Sequence, residues 1–260
     1  MEPAEPSEPS EPAEAPKRRG CRACAALLLL ALSALGGAFL YEREPLPTGE
    51  AGAEAEALAG RLLKAVDAPA WARTGAVKWT FVGLHEHLWD RRRQLARVRW
   101  GEVEVLLKLE PVEGRAWRAG EELAGEEAAA LVRKAKSFWI NDSFWLNPVV
   151  KVRDPGTLRE ATAEGLLIRY QSGGDTPGDA YEWTLGPEDL PTRWKMWVQI
   201  VPVPGLDVTW EDWQTLSTGA KVARTHRILG APAIKLSGIA GARTLEELEP
   251  GPDPFARLLD

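Results

Sequence analysis

Apolar and polar residues recur along this chain with two periods, and the two periods predict its elements. From Ala53 to Val66 the spacing is helical, with Ala57, Leu58, Leu62, Leu63 and Val66 on one face, and Asp67-Ala68-Pro69 ends the run. From Trp71 onward the period changes to two. Val77, Trp79 and Phe81 alternate with Lys78 and Thr80, and His85, His87 and Trp89 with Glu86 and Leu88. Ala96, Val98 and Trp100 alternate with Arg97 and Arg99, and Val103, Val105, Leu107 and Leu109 with Glu102, Glu104 and Lys108. Short connections between such runs predict an antiparallel meander. A second helical stripe covers Glu126 to Trp139, with acids at its start and Arg133, Lys134 and Lys136 towards its end, the polarity that suits a helix dipole. Further strands are predicted at Val149–Val152, Leu158–Thr162, Leu166–Gln171, Tyr181–Leu185, Trp194–Val201, Asp207–Leu216, Ala220–Ile228 and Ala233–Ile239. The expected fold class is α+β, mainly antiparallel β. It is a large curved half-barrel sheet, covered by one or two helices and preceded by one transmembrane helix.

The N-terminal part follows other rules. Residues 1–22 form an acidic, Pro-rich segment that ends in Lys17, Arg18, Arg19 and Arg22. It has too little apolar surface to fold and is expected to be a disordered cytoplasmic tail. Residues 23–41 contain the uncharged run Cys24–Tyr41, which as a helix reaches about 27 Å, close to the apolar thickness of a bilayer. The cations precede the run, so the positive-inside rule places the N-terminus in the cytoplasm. A chain tethered in the inner membrane, with its domain in the periplasm or outside, is therefore expected. A cleaved signal peptide is the competing reading, with small residues at Ala31-Leu32-Ser33-Ala34 and Gly36-Gly37-Ala38. Residues 42–52 read as a linker, 53–245 as the β-rich domain and 246–260 as an acidic tail.

Composition narrows the chemistry. A net charge of −6 without a basic patch argues against a nucleic-acid partner. The two cysteines, Cys21 and Cys24, both precede or open the apolar run, so the domain holds neither a disulfide nor a thiolate metal site. Twelve Trp against five Phe and three Tyr is unusual. Trp79, Trp89, Trp100, Trp139, Trp145 and Trp197 are candidates to line an apolar concave face, with Asn141 or Asp142 orienting a polar end. Trp194 and Trp197 lie on opposite faces of one strand, as do Trp210 and Trp213, so not every Trp can point inward. His85-Glu86-His87 places two imidazoles on one strand face, as two metal ligands would lie. His226 or Asp90 is the candidate third ligand. Asp142 also reads as a candidate general base with His226, or as a residue that caps the end of the second helix. No G-x-S-x-G elbow, P-loop or H-E-x-x-H is present, so no catalytic residue and no cofactor is assigned.

Several words of this sequence resemble those of uncharacterised bacterial exported proteins. They are Trp71 with Val77-Lys78-Trp79-Thr80-Phe81, then Leu88-Trp89-Asp90, then Phe138 through Leu146. Together with a leading helix, a long meander and an inserted helix, they resemble the LolA/LolB-like, outer-membrane lipoprotein-sorting superfamily over residues 53–245. The resemblance implies an unclosed barrel whose apolar concave face takes an acyl chain, a lipid or a lipoprotein. A peptide anchor departs from that pattern and favours a tethered acceptor or sensor over a shuttle. A structural or protein-binding domain is the alternative, and a metal-dependent hydrolase a further one.

Overall fold

In the computed structural model, which describes residues 44–172, 178–199, 203–229 and 231–259, helix α1 (Ala53–Ala65) buries Ala55, Ala59 and Leu62 along one stripe. The expected cytoplasmic tail and membrane anchor, 1–22 and 23–41, lie outside the described residues. Among those described, no helix is long and apolar enough to cross a membrane. Helix α2 (Ala68–Arg73) follows at once, because the Asp67 carboxylate accepts from Ala70 N at its start and Pro69 suits its first turn.

The meander then runs β1 (Ala76–Phe81), β2 (His85–Asp90), β3 (Leu95–Trp100), β4 (Val103–Lys108), β5 (Glu113–Arg118) and β6 (Glu121–Glu122). Helix α3 (Gly125–Leu146) and a 3₁₀ turn at Pro148–Lys151 interrupt it. The later strands are β7 (Thr157–Ala161), β8 (Leu166–Tyr170), β9 (Ala180–Leu185), β10 (Pro191–Trp197), β11 (Leu206–Thr209), β12 (Gln214–Thr215), β13 (Lys221–Val222), β14 (Thr225–His226) and β15 (Ile234–Ala242). Two short helices, α4 (Leu245–Leu248) and α5 (Ala256–Leu259), close the chain.

The α+β class with antiparallel sheets is as expected, but hydrogen bonding divides the strands. Eight form one sheet in the order β14-β15-β1-β2-β3-β4-β5-β6, five another in the order β11-β10-β9-β8-β7, and β12 pairs with β13. The division falls where two-residue β6 gives way to α3, so β7 finds its partner in β8 and not in the meander.

Several sequence expectations are corrected. The second helix does not end at Trp139 but runs to Leu146, with Asn147 as its C-cap. Asn141 and Asp142 therefore lie inside it and cap nothing. Val149–Val152 is not a strand, because Pro148 cannot donate to a ladder and starts a 3₁₀ turn instead. Asp207–Leu216 breaks after Thr209, where Asp212 takes φ 56. Trp210 and Trp213 consequently do not oppose each other but join one cluster, 6.2 Å apart. Strand β5 carries Glu113, Gly114 and Arg115, which hid its period. The expected linker pairs as a strand does, since Glu50 and Ala161 exchange backbone hydrogen bonds.

Two faces of the large sheet matter for the site. Its inner face presents Val77, Trp79, Val98, Val105, Leu107 and Ala116, and α3 crosses it with Val132 and Ala135 inward. Its outer face presents Ala76, Leu88, Leu95, Leu106 and Trp117, which the C-terminal segment covers with Leu245 and Phe255. The acidic tail is held to the sheet through Phe255, which is fully buried. Against the five-stranded sheet, α1 packs with Trp183, Trp194 and Trp210.

Candidate metal centre

His85 and His87 leave β2 on the same side because strand side chains alternate, and that side faces α3. Register with β1 sets Trp79 opposite His87 and Phe81 opposite His85. Trp79 stacks on the His87 ring at 4.5 Å and 11°, and Phe138 of α3 stacks on His85 at 3.8 Å and 22°. These rings hold both imidazoles in fixed orientations.

Helix α3 supplies the third group. Its inward stripe runs Val132, Ala135, the partly buried Trp139, Asp142 and Leu146, steps of three and four residues, so a carboxylate occupies a place where the period calls for an apolar side chain. Phe138 and Asp142 are one turn apart on that helix, so the same surface brings both a ring and a carboxylate to His85. Asp142 Oδ2 lies 2.8 Å from His85 Nδ1 and 2.7 Å from His87 Nε2. Asn141 Nδ2 donates to Asp142 Oδ1 at 2.8 Å and turns the carboxylate towards the imidazoles. The three candidate ligand atoms lie within 4.8 Å of one another.

Asp142 is 1% exposed and His87 3%. His85 keeps 16% of its side chain accessible and forms the open side of the group. Among the described residues the side-chain partners of Asp142 are His85, His87 and Asn141, and no lysine or arginine bonds to it. Burial pushes the His87 pKa below its usual value, with Asp142 opposing, which keeps a lone pair available on that ring. His87 Nδ1 is buried without a hydrogen-bond partner among the described residues.

Two imidazoles and one carboxylate are a ligand set suited to zinc and related divalent ions. A tetrahedral ion with bonds of about 2.0–2.1 Å holds its ligand atoms about 3.3 Å apart. The two short contacts to Oδ2 would open by about half an ångström around such an ion.

The other sequence candidates are placed differently. His226 is not the third ligand. It sits fully buried beside Trp210 at 4.1 Å and Trp145 at 5.3 Å, and burial pushes its pKa down to about 4. Nor does it partner Asp142 as an acid–base pair. Asp90 is not a ligand either, because its carboxylate accepts from Arg92 N, Arg93 N and Arg93 Nε and organises the β2–β3 turn. Asn141 itself is exposed.

Of the Trp candidates, Trp79, Trp89 and Trp139 pack in one cluster beside the centre, and Trp89 and Trp139 meet edge to face at 5.1 Å. Trp100 meets Phe138 at 5.3 Å. Trp145 bridges to the other sheet, with Trp194 at 5.3 Å. Trp197 faces away from the interior and donates Nε1–H to Glu44 O, while Trp194 faces in, the opposition that strand alternation requires. A shallow groove of about 790 Å³ opens beside α1 and α2, lined by Leu63, Ala68, Pro69 and Lys221 and by no Trp.

Comparison with known proteins found no family model that matches the chain and no matching curated protein sequence.

Proposed function

We propose that this domain binds one divalent ion of the zinc class through His85, His87 and Asp142. The observation that carries the reading is the convergence of two stacked imidazoles from β2 and one buried carboxylate from α3 within 4.8 Å. Three protein ligands leave a tetrahedral shell one position short, the arrangement of catalytic and not of closed structural sites. Solvent would reach the remaining position from the side of His85, the accessible ligand. An ion bound there would supply Lewis acidity and an acidified water to a hydrolytic reaction. Asn141 would act as a positioning residue, since its amide holds the carboxylate rather than the ion. In the same reading residues 23–41 anchor the chain and the domain is exported.

The test is metal analysis of the purified full chain after chelation and reloading with zinc or cobalt. One ion per chain is expected, with a tetrahedral N/O cobalt spectrum. Saturation to about a hundred times Kd should add about 2.7 kcal/mol, or roughly 5–10 °C in Tm. No uptake, together with a Tm that neither zinc nor EDTA moves, overturns the reading. The three groups are then a hydrogen-bonded brace between α3 and β2.

A second reading keeps the LolA/LolB-like half-barrel and an amphiphilic ligand. It is supported by the buried indole N–H groups of Trp79, Trp89, Trp139, Trp194 and Trp210, which lack acceptors among the described residues. Native interiors leave few such donors unpaired, and a ligand carrying acceptor oxygens would satisfy them. Native mass spectrometry of the gently extracted chain tests this: a bound acyl species supports it, and protein free of any lipid removes it.

A further inference from the structure

We propose that one end of this domain rests on the lipid bilayer, through the tips of the β1–β2 and β14–β15 hairpins. The inference rests on the anchor reading of residues 23–41 and is independent of the metal. Its first support is where exposed apolar side chains gather. Leu84 is 66% exposed and Val82 37%, both in the β1–β2 turn, and Leu229 is 82% exposed beyond β14. Val82 N donates to Lys235 O, so the β1–β2 turn lies beside the start of β15, and the two tips share one end of the large sheet. Isolated apolar side chains of this size are ordinary on a surface; what sets these three apart is that they share one end of the sheet.

The second support is where the chain joins the domain. Glu44 N donates to Pro204 O, and Glu44 O accepts from Trp197 Nε1, which pins Glu44 at the tip of the β10–β11 hairpin. The bridge between Val208 and Ile228 runs antiparallel, so Leu229 lies alongside the Leu206–Asp207 end of β11, next to that tip. Glu44 and the exposed leucines therefore lie at the same end. Only Glu42 and Arg43 separate Glu44 from the uncharged run that ends at Tyr41. That span is at most about 10–11 Å of extended chain. A six-residue strand is about 20 Å long, so so short a tether holds this end, and not the opposite one, against the membrane. A bilayer is the occupant that this geometry favours over a protein partner. His85 is the first residue of β2, directly after Leu84, so the open side of the candidate metal centre lies at the same end.

The experiment uses the full chain with Cys21 and Cys24 replaced by Ala and one new cysteine at a time: Leu84→Cys, Leu229→Cys or Val112→Cys. Val112 is 46% exposed in the β4–β5 turn at the opposite end of the sheet and serves as the control. Each is labelled with an environment-sensitive fluorophore and reconstituted into phosphatidylethanolamine–phosphatidylglycerol vesicles that carry brominated acyl chains. The expected result is blue-shifted, quenched emission at positions 84 and 229, and water-like, unquenched emission at 112. Equal and water-like emission at all three positions overturns the proposal while leaving the anchor standing. A blue shift without quenching also overturns it and assigns the tips to a protein contact. Failure of the chain to float with the vesicles overturns both the anchor and the proposal, and leaves the metal reading untouched.

Discussion

Lowering the pH should destabilise this domain through His226, by an amount the structure lets us work out. His226 has no exposed surface and is enclosed by Trp145, Trp210 and the β14–β15 pair. Burial pushes its pKa from 6.5 down to about 4, so the folded state holds the neutral ring. The unfolded chain accepts a proton near pH 6.5 and the folded chain does not until about pH 4. Stability from this group is therefore complete above the unfolded pKa and is lost as pH falls between the two values. At 1.36 kcal/mol per pH unit the loss is capped near about 3 kcal/mol, and between pH 7 and pH 5 it amounts to about 2 kcal/mol. Urea denaturation at several pH values, in chelator so that metal binding does not contribute, reads it out. The control is His226→Leu, which removes the titrating ring at similar volume. The His87 pKa is also held down by burial, so both proteins lose stability in acid. The wild type should lose about 2 kcal/mol more than the variant. Parallel pH curves for the two proteins would refute the burial argument.

Three further outcomes are expected. Asp142→Ala leaves His85 Nδ1 and His87 Nε2 without their partner, and should cost about 2–3 kcal/mol in metal-free urea denaturation as well as abolish zinc uptake. Phe255→Ala opens a hole among Leu88, Leu95, Leu106 and Trp117 and should cost about 3–5 kcal/mol by the same assay, against nearly nothing if the C-terminal segment is detached in solution. Gly165→Ala should cost about 1–3 kcal/mol or more in thermal unfolding. A Cβ there meets Trp183 O at 2.0 Å, and φ is +156, which L side chains rarely adopt.

Much of this architecture is legible along the chain. Strand alternation places His85 and His87 on one face, and short turns make the first strands a meander, because both follow from local backbone geometry. The opposition of Trp194 and Trp197 follows in the same way. The third candidate ligand does not. Asn141, Asp142 and Ser143 are weak helix formers, and local propensity ends the helix at Trp139. Packing against the large sheet carries it on to Leu146, and only that extension turns Asp142 inward to His85 and His87. Carrying the spacing of Val132, Ala135 and Trp139 forward by one step lands on Asp142, a signal that a charged residue conceals. The fate of His226 was equally out of reach, since joining His85 or a Trp cluster depends on which sheet the last strands enter. Residues 246–260 read as an acidic tail, yet Phe255 packs among six other buried apolar residues, which outweighs that composition. Local periodicity determined which residues share a face. Long-range packing decided which faces meet, because the energy of burying an apolar surface is set by its partner and not by its own sequence.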